Sequence, residues 1–126
     1  MKYSNSQDEN RIKMVIYLNQ HIDNLLISKK IEQSIYNYII NTAKEKNIQR
    51  VWSNPIFTKL YHSKIISIYS NIKENSYIKN TTFLNRIKNN EIDPSNIGTL
   101  TAYDIFPDNW KELLNIKSKR DKIKYE

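Results

Sequence analysis

The 126-residue chain contains no cysteine, a single glycine and only three prolines. Absent thiols exclude disulfides, thiolate metal sites and a cysteine nucleophile together. His21 and His62 are the only imidazoles left, too few to hold a metal on their own, and they read as surface or half-buried side chains. No run of about 18 apolar residues occurs, and the first thirty positions lack the charged, apolar, small-residue order of a secretory leader. The expectation is a soluble intracellular protein with neither membrane span nor export signal. Gly98 has no glycine near it in sequence, so a glycine-rich phosphate cradle is also excluded.

What is abundant is positive charge. Lys and Arg number 20 against 13 Asp and Glu, giving a net charge of +7 and a pI near 9.5. Such a surface attracts acidic partners: nucleic acid, an anionic lipid face or an acidic protein surface. The heavy use of Ile, Asn, Lys and Tyr is also what AT-rich coding produces, which weakens any inference from lysine number alone. With 39% hydrophobic residues, the chain supports one domain with a modest core.

Apolar periodicity predicts an all-α protein. From Asp8, the positions Ile12, Val15, Ile16, Ile22, Leu25 and Leu26 recur at helical spacing. A second helix is expected over 28 to 47, capped by Ser28, with Ile31, Ile35, Tyr38, Ile39 and Thr42 on one stripe. Asn54 and Pro55 read as the cap and first residue of a third helix, whose stripe is Leu60, Tyr61, Ile65, Ile68, Tyr69 and Ile72. A short helix over 82 to 89 turns Phe83, Leu84 and Ile87 inward. Trp52, Phe57, Tyr61, Tyr69 and Tyr77 are spaced for packing rather than for stacking on bases. Most breakers gather between Asn89 and Trp110. Asn90 reads as a left-handed helix stop, Asp93-Pro94 bars the helix from resuming, and Thr101 caps a short turn that Pro107 ends. Glu91, Asp93, Asp104 and Asp108 read as caps and solvated loop residues, not as an acid-base pair.

The segment NNEIDPSNIGTLTAYDIF resembles the end of the central domain of transcription elongation factor S-II (TFIIS). Ile92, Pro94, Leu100, Thr101 and Asp104 match its isoleucine, proline, Leu-Thr pair and acidic turn in spacing. Upstream, IEQSIYNYIINT (31 to 42) and YHSKIISIYSNIKE (61 to 74) are similar to two earlier helices of that domain, in the same order, so the resemblance covers roughly residues 28 to 106. It implies a three-helix bundle with additional short helices, preceded by an N-terminal helical segment over 1 to 27 and followed by a basic linker helix over 107 to 126. The family docks on RNA polymerase II. It carries beyond its linker a four-cysteine zinc ribbon with an Asp-Glu pair that helps the polymerase's own metal site cleave backtracked RNA.

No cysteines of such a ribbon are present, so the expected reading is a chain cut before the ribbon or a product that never had one. Zinc would belong only to that missing ribbon, and no cofactor is expected in this chain. Ile66 and Ile68 stand where the family's third helix has arginines, about three residues are inserted after Glu74, Leu84 and Asn85 replace a basic pair, and Asn90 replaces a glycine. Together with the AT-rich composition, this layout resembles S-II homologues of large DNA viruses.

The resemblance implies an accessory factor rather than an enzyme. Its partner would be a DNA-directed RNA polymerase of the polymerase II kind, cellular or viral, with nucleic acid reached mainly through it, no membrane, and a monomeric state. Location would be the nucleus or, for a viral chain, a viral factory or the virion. Expected polymerase contacts are Lys64, Lys73, Lys79, Arg86 and Lys88 from the bundle and Lys117, Lys119, Arg120, Lys122 and Lys124 from the tail. Two other readings stay open: a ribbon-less polymerase-binding regulator, and a basic helical protein that binds nucleic acid directly.

Overall fold

The computed structural model describes residues 5 to 108. Among these residues the elements run α1 (Asn5–Ile22), α2 (Leu25–Glu45), α3 (Pro55–Ile72), α4 (Phe83–Lys88) and α5 (Ala102–Ile105), with a 3₁₀ turn at Pro94–Thr99 before α5. No strand occurs among the described residues. The protein is all-α, and its three long helices pack as a bundle with α2 touching α1, α3 and the 3₁₀ turn.

Asparagine does much of the punctuation that glycine performs in other chains. Asn47 and Asn90 are left-handed, with φ 58° and 63°. Beyond each, an N–H returns to the helix: Ile48 to the Ala43 carbonyl at 2.8 Å and Glu91 to the Arg86 carbonyl at 2.9 Å. Those are the bonds that close a helix C-terminus when a left-handed residue comes after it, and Asn tolerates that backbone better than other side-chain-bearing residues. At the opposite ends, the Asn54 side chain accepts from the Ile56 and Phe57 N–H groups to start α3, with Pro55 as its first residue.

One core serves all the elements. Leu18 and Ile22 from α1 join Ile31, Ile35, Ile39 and Ala43 from α2 and Phe57, Tyr61, Ile65, Ile68 and Ile72 from α3; Phe83, Ile87, Ile97 and Ile105 close it from the short elements. Packing of the 3₁₀ turn on α2 is close enough to need the single glycine. A Cβ on Gly98 would stand 2.3 Å from the Ser34 carbonyl oxygen.

Several expectations are corrected. The second helix starts at Leu25 rather than Ser28: Asp23 turns left-handed, and Asn24 is the cap, accepting from the Ile27 N–H at 3.1 Å. Ser28 is buried one turn inside α2 and donates to Asn19 Oδ1 at 2.9 Å. The boundary expected after residue 27 therefore falls within α2, and α1 shares its core with α2 and α3. Ile12, Ile16, Leu25 and Leu26, set on one face by apolar spacing, are exposed: Ile12 and Ile16 lie on a different side of α1 from the buried Leu18 and Ile22, and Leu25 and Leu26 follow the break at Asp23 and belong to the first turn of α2. Tyr38 is exposed at the edge of its stripe, Leu84 is only partly buried, and Tyr77 is exposed and outside the core cluster. Pro94 stops an α-helix as expected, yet it also opens the 3₁₀ turn, with Asp93 accepting from the Ser95 N–H at 2.9 Å.

Candidate functional site

The five bundle cations expected to bind a partner are spread over α3, the loop after it and α4. Lys64 is half-buried with its ammonium 4.7 Å from the centre of the Tyr38 ring, and burial lowers its pKa. Lys73 ends α3. Lys79 sits in the loop with φ 58°, and Lys88 is exposed at the end of α4. Arg86 differs from the others, because its guanidinium is engaged inside the protein. It donates to the Asp104 carbonyl at 3.0 Å and to the Ile105 carbonyl, which fixes the last turn of α5 to α4. The tail cations Lys117, Lys119, Arg120, Lys122 and Lys124 lie outside the described residues.

Asn80 completes that junction. It is fully buried and donates to Asn71 Oδ1 at 3.1 Å and to the Ile105 carbonyl at 3.0 Å, while its own carbonyl oxygen accepts from the Thr82 and Phe83 N–H groups. One asparagine thus ties α3, the start of α4 and the end of α5. Thr101 and Asp104 close α5 from its other end through reciprocal 3.1 Å bonds, side chain to backbone in both directions. The Thr101 backbone N–H, and then its hydroxyl, hold the Asp104 carboxyl below its ordinary range.

Along α3, the two isoleucines that replace arginines in the resemblance part company. Ile68 is in the core, whereas Ile66 is 52% exposed. Ile66 lines a shallow groove of about 240 Å³ with Met14, Tyr17 and His62. A second groove, about 320 Å³, runs toward the start of α3 past Ile56, Lys59, Leu60 and Ser63. This face of α3 is apolar, with Lys59 and His62 beside the exposed Ile56 and Ile66.

Sequence reasoning missed the most polar feature of the interior. Glu32 is buried, and both of its oxygens are gripped by Arg11, from Nε at 2.8 Å and from Nη2 at 2.9 Å. Tyr61 donates to the same carboxylate at 2.8 Å. The guanidinium also lies 3.9 Å from the centre of the Tyr36 ring, and Tyr36 and Tyr61 are in turn ring neighbours of Trp52. Burial pulls the Arg11 pKa down, but the hydrogen bond and charge of Glu32 outweigh it and leave it raised. Burial, reinforced by Glu32, pushes the Tyr61 phenol well above its ordinary range. The signal available in the sequence was Glu32 on the same stripe as Ile31 and Ile35, a charge on a buried face that required a partner from another helix.

Among the described residues no three His, Asp or Glu side chains gather as metal ligands, and no helix is long and apolar enough to cross a membrane. Comparison of the chain with protein-family models, curated proteins and solved structures found no match.

Proposed function

We propose that this protein is an S-II-like accessory factor that docks on a DNA-directed RNA polymerase, where a zinc ribbon joined to it would stimulate cleavage of backtracked RNA. The observation that supports the reading is the corner from Ile92 to Ile105. Five of its positions resemble the closing block of the S-II central domain, and each has a structural task. Ile92 and Leu100 pack on the core, Pro94 opens the 3₁₀ turn, and Thr101 and Asp104 form the capping box of α5. The resemblance of these five positions, together with the task each performs in the corner, supports the reading.

In this reading the bundle supplies binding and position, and the reaction belongs to the polymerase's metal ions. The apolar replacement at Ile66 means that the α3 face meets its partner through apolar contact more than through charge. The test is a transcript-cleavage assay on a stalled, backtracked polymerase from the same source. The chain alone is expected to leave the transcript intact, and the chain fused to a four-cysteine ribbon bearing Asp-Glu is expected to shorten it. Shortened transcripts with the chain alone, or none with the fusion, would overturn the proposal.

A further inference from the structure

We propose that the loop between α3 and α4 carries a stacking site for an unpaired base of single-stranded nucleic acid, with Tyr77 as the platform. Tyr77 is 80% exposed, more than any other large apolar side chain described. Its presentation is not a matter of slack chain. Ser76 donates its hydroxyl to the Ser70 carbonyl and accepts from the Ile78 N–H at 3.2 Å, and the N–H groups of Ser76 and Lys79 bond the Lys73 and Ser76 carbonyls at 3.0 and 3.1 Å. Lys79 adopts a left-handed backbone, φ 58°, which is unfavourable for a lysine. Immediately after it, Asn80 is buried and engaged through both ends of its amide. Two consecutive turns, the second ending on the left-handed Lys79, thus hold the ring in water in a bonded loop.

The surroundings select the partner. A tyrosine serving as a protein-binding anchor sits amid apolar neighbours that exclude water, but the loop residues flanking Tyr77 in sequence are the half-buried Lys73, Glu74, Asn75, Ser76 and Lys79, with the partly buried Ile78 the one apolar side chain among them. Two cations against one anion, in a chain of net charge +7, suit a phosphate backbone. An exposed ring in the same loop suits a base, since every base offers a π-face to an aromatic side chain. Bases paired within a duplex are not free to stack there, which specifies a single strand. The site shares Lys73 and Lys79 with the expected polymerase contacts, so Tyr77, which is not among them, carries the test.

The experiment is fluorescence anisotropy of labelled oligo(dT) and oligo(U), and of a duplex of equal length, titrated with wild-type protein, Tyr77→Ala, Tyr77→Phe and Lys73→Gln/Lys79→Gln at several salt concentrations. Tyr77→Ala is expected to weaken single-strand binding about tenfold, and Tyr77→Phe to retain it. The lysine pair variant is expected to flatten the salt dependence by about 1.4 in log-log slope, for two phosphate contacts on a single strand. Circular dichroism melting checks that the variants fold, and since Tyr77 makes no described contact its loss should leave the melting temperature in place. Equal binding by wild type and Tyr77→Ala, no measurable wild-type binding, or tighter binding of duplex than of single strand would each overturn the proposal. So would loss of polymerase binding in Tyr77→Ala with oligonucleotide binding unchanged, which would make the loop a protein contact.

Discussion

Gly98 donates its N–H to Ser34 Oγ at 2.7 Å, and the 3₁₀ turn reaches α2 so closely that a Cβ at this glycine would meet the Ser34 carbonyl oxygen at 2.3 Å. The obstacle is backbone, which cannot swing aside as a side-chain tip does. Gly98→Ala should therefore cost about 1 to 3 kcal/mol, as overpacking does. Urea denaturation would read this as a lowered midpoint at unchanged slope, and a midpoint within error of wild type would show that the turn yields.

Ile65 and Ile66 are neighbours with opposite fates, fully buried and half exposed. Ile65→Ala should cost about 2 to 4 kcal/mol for lost burial and the cavity left behind. Ile66→Ala, on open surface, should stay within about 0.5 kcal/mol. Similar losses for the two in denaturant titration would mean that the face of α3 is misplaced.

The Arg11–Glu32 pair joins α1 to α2, with Tyr61 bringing in α3. Arg11→Ala leaves a buried carboxylate with only the phenol as donor. Its cost should be about 2 to 3 kcal/mol, below that of a wholly buried pair because Arg11 is partly exposed. Replacing all three together, by Arg11→Met, Glu32→Met and Tyr61→Phe, should recover most of that loss, since apolar side chains of similar size need no compensation. A triple variant less stable than Arg11→Ala alone would contradict this account of the network.

Tyr61 also gives a signed pH dependence. Its folded pKa is raised, so its contribution is fully present below the ordinary tyrosine pKa of about 10 and is lost as pH rises toward the folded value. At neutral pH, Tyr61→Phe should be less stable than wild type by about 1 kcal/mol, because Glu32 loses a donor. Above pH 10 the wild-type unfolded chain ionises this phenol and the folded chain resists, so the gap should narrow. A gap that widens with alkaline pH would reverse the assigned direction.

Much of the fold was legible where a local rule decided it. Asn54-Pro55 opens α3, Asn90 stops α4 and Thr101 caps α5, each through bonds within a few residues of sequence. Tertiary geometry was not legible in the same way. The left-handed Asp23 breaks an apolar pattern that carries the first helix on to Leu25 and Leu26, and that pattern puts Ile12 and Ile16 on its face while passing over the buried Leu18. Gly98 answers to Ser34, 64 positions away, and Arg11 to Glu32, 21 positions away; neither spacing carries a periodic signal. Of the candidate contacts, Lys64, Lys73, Lys79 and Lys88 are placed at the surface or its edge, whereas Arg86 turns out to brace α5.

The central claim is polymerase docking, and the most direct measurement is equilibrium binding of the labelled chain to purified RNA polymerase from the same source at moderate salt. The account predicts saturable one-to-one binding with a Kd of about 1 μM or tighter. Reversing Lys119 and Arg120 to Glu should weaken it strongly, and reversing Lys64 and Lys73 should weaken it less. Absence of saturable binding by the wild-type chain to that polymerase would contradict the account.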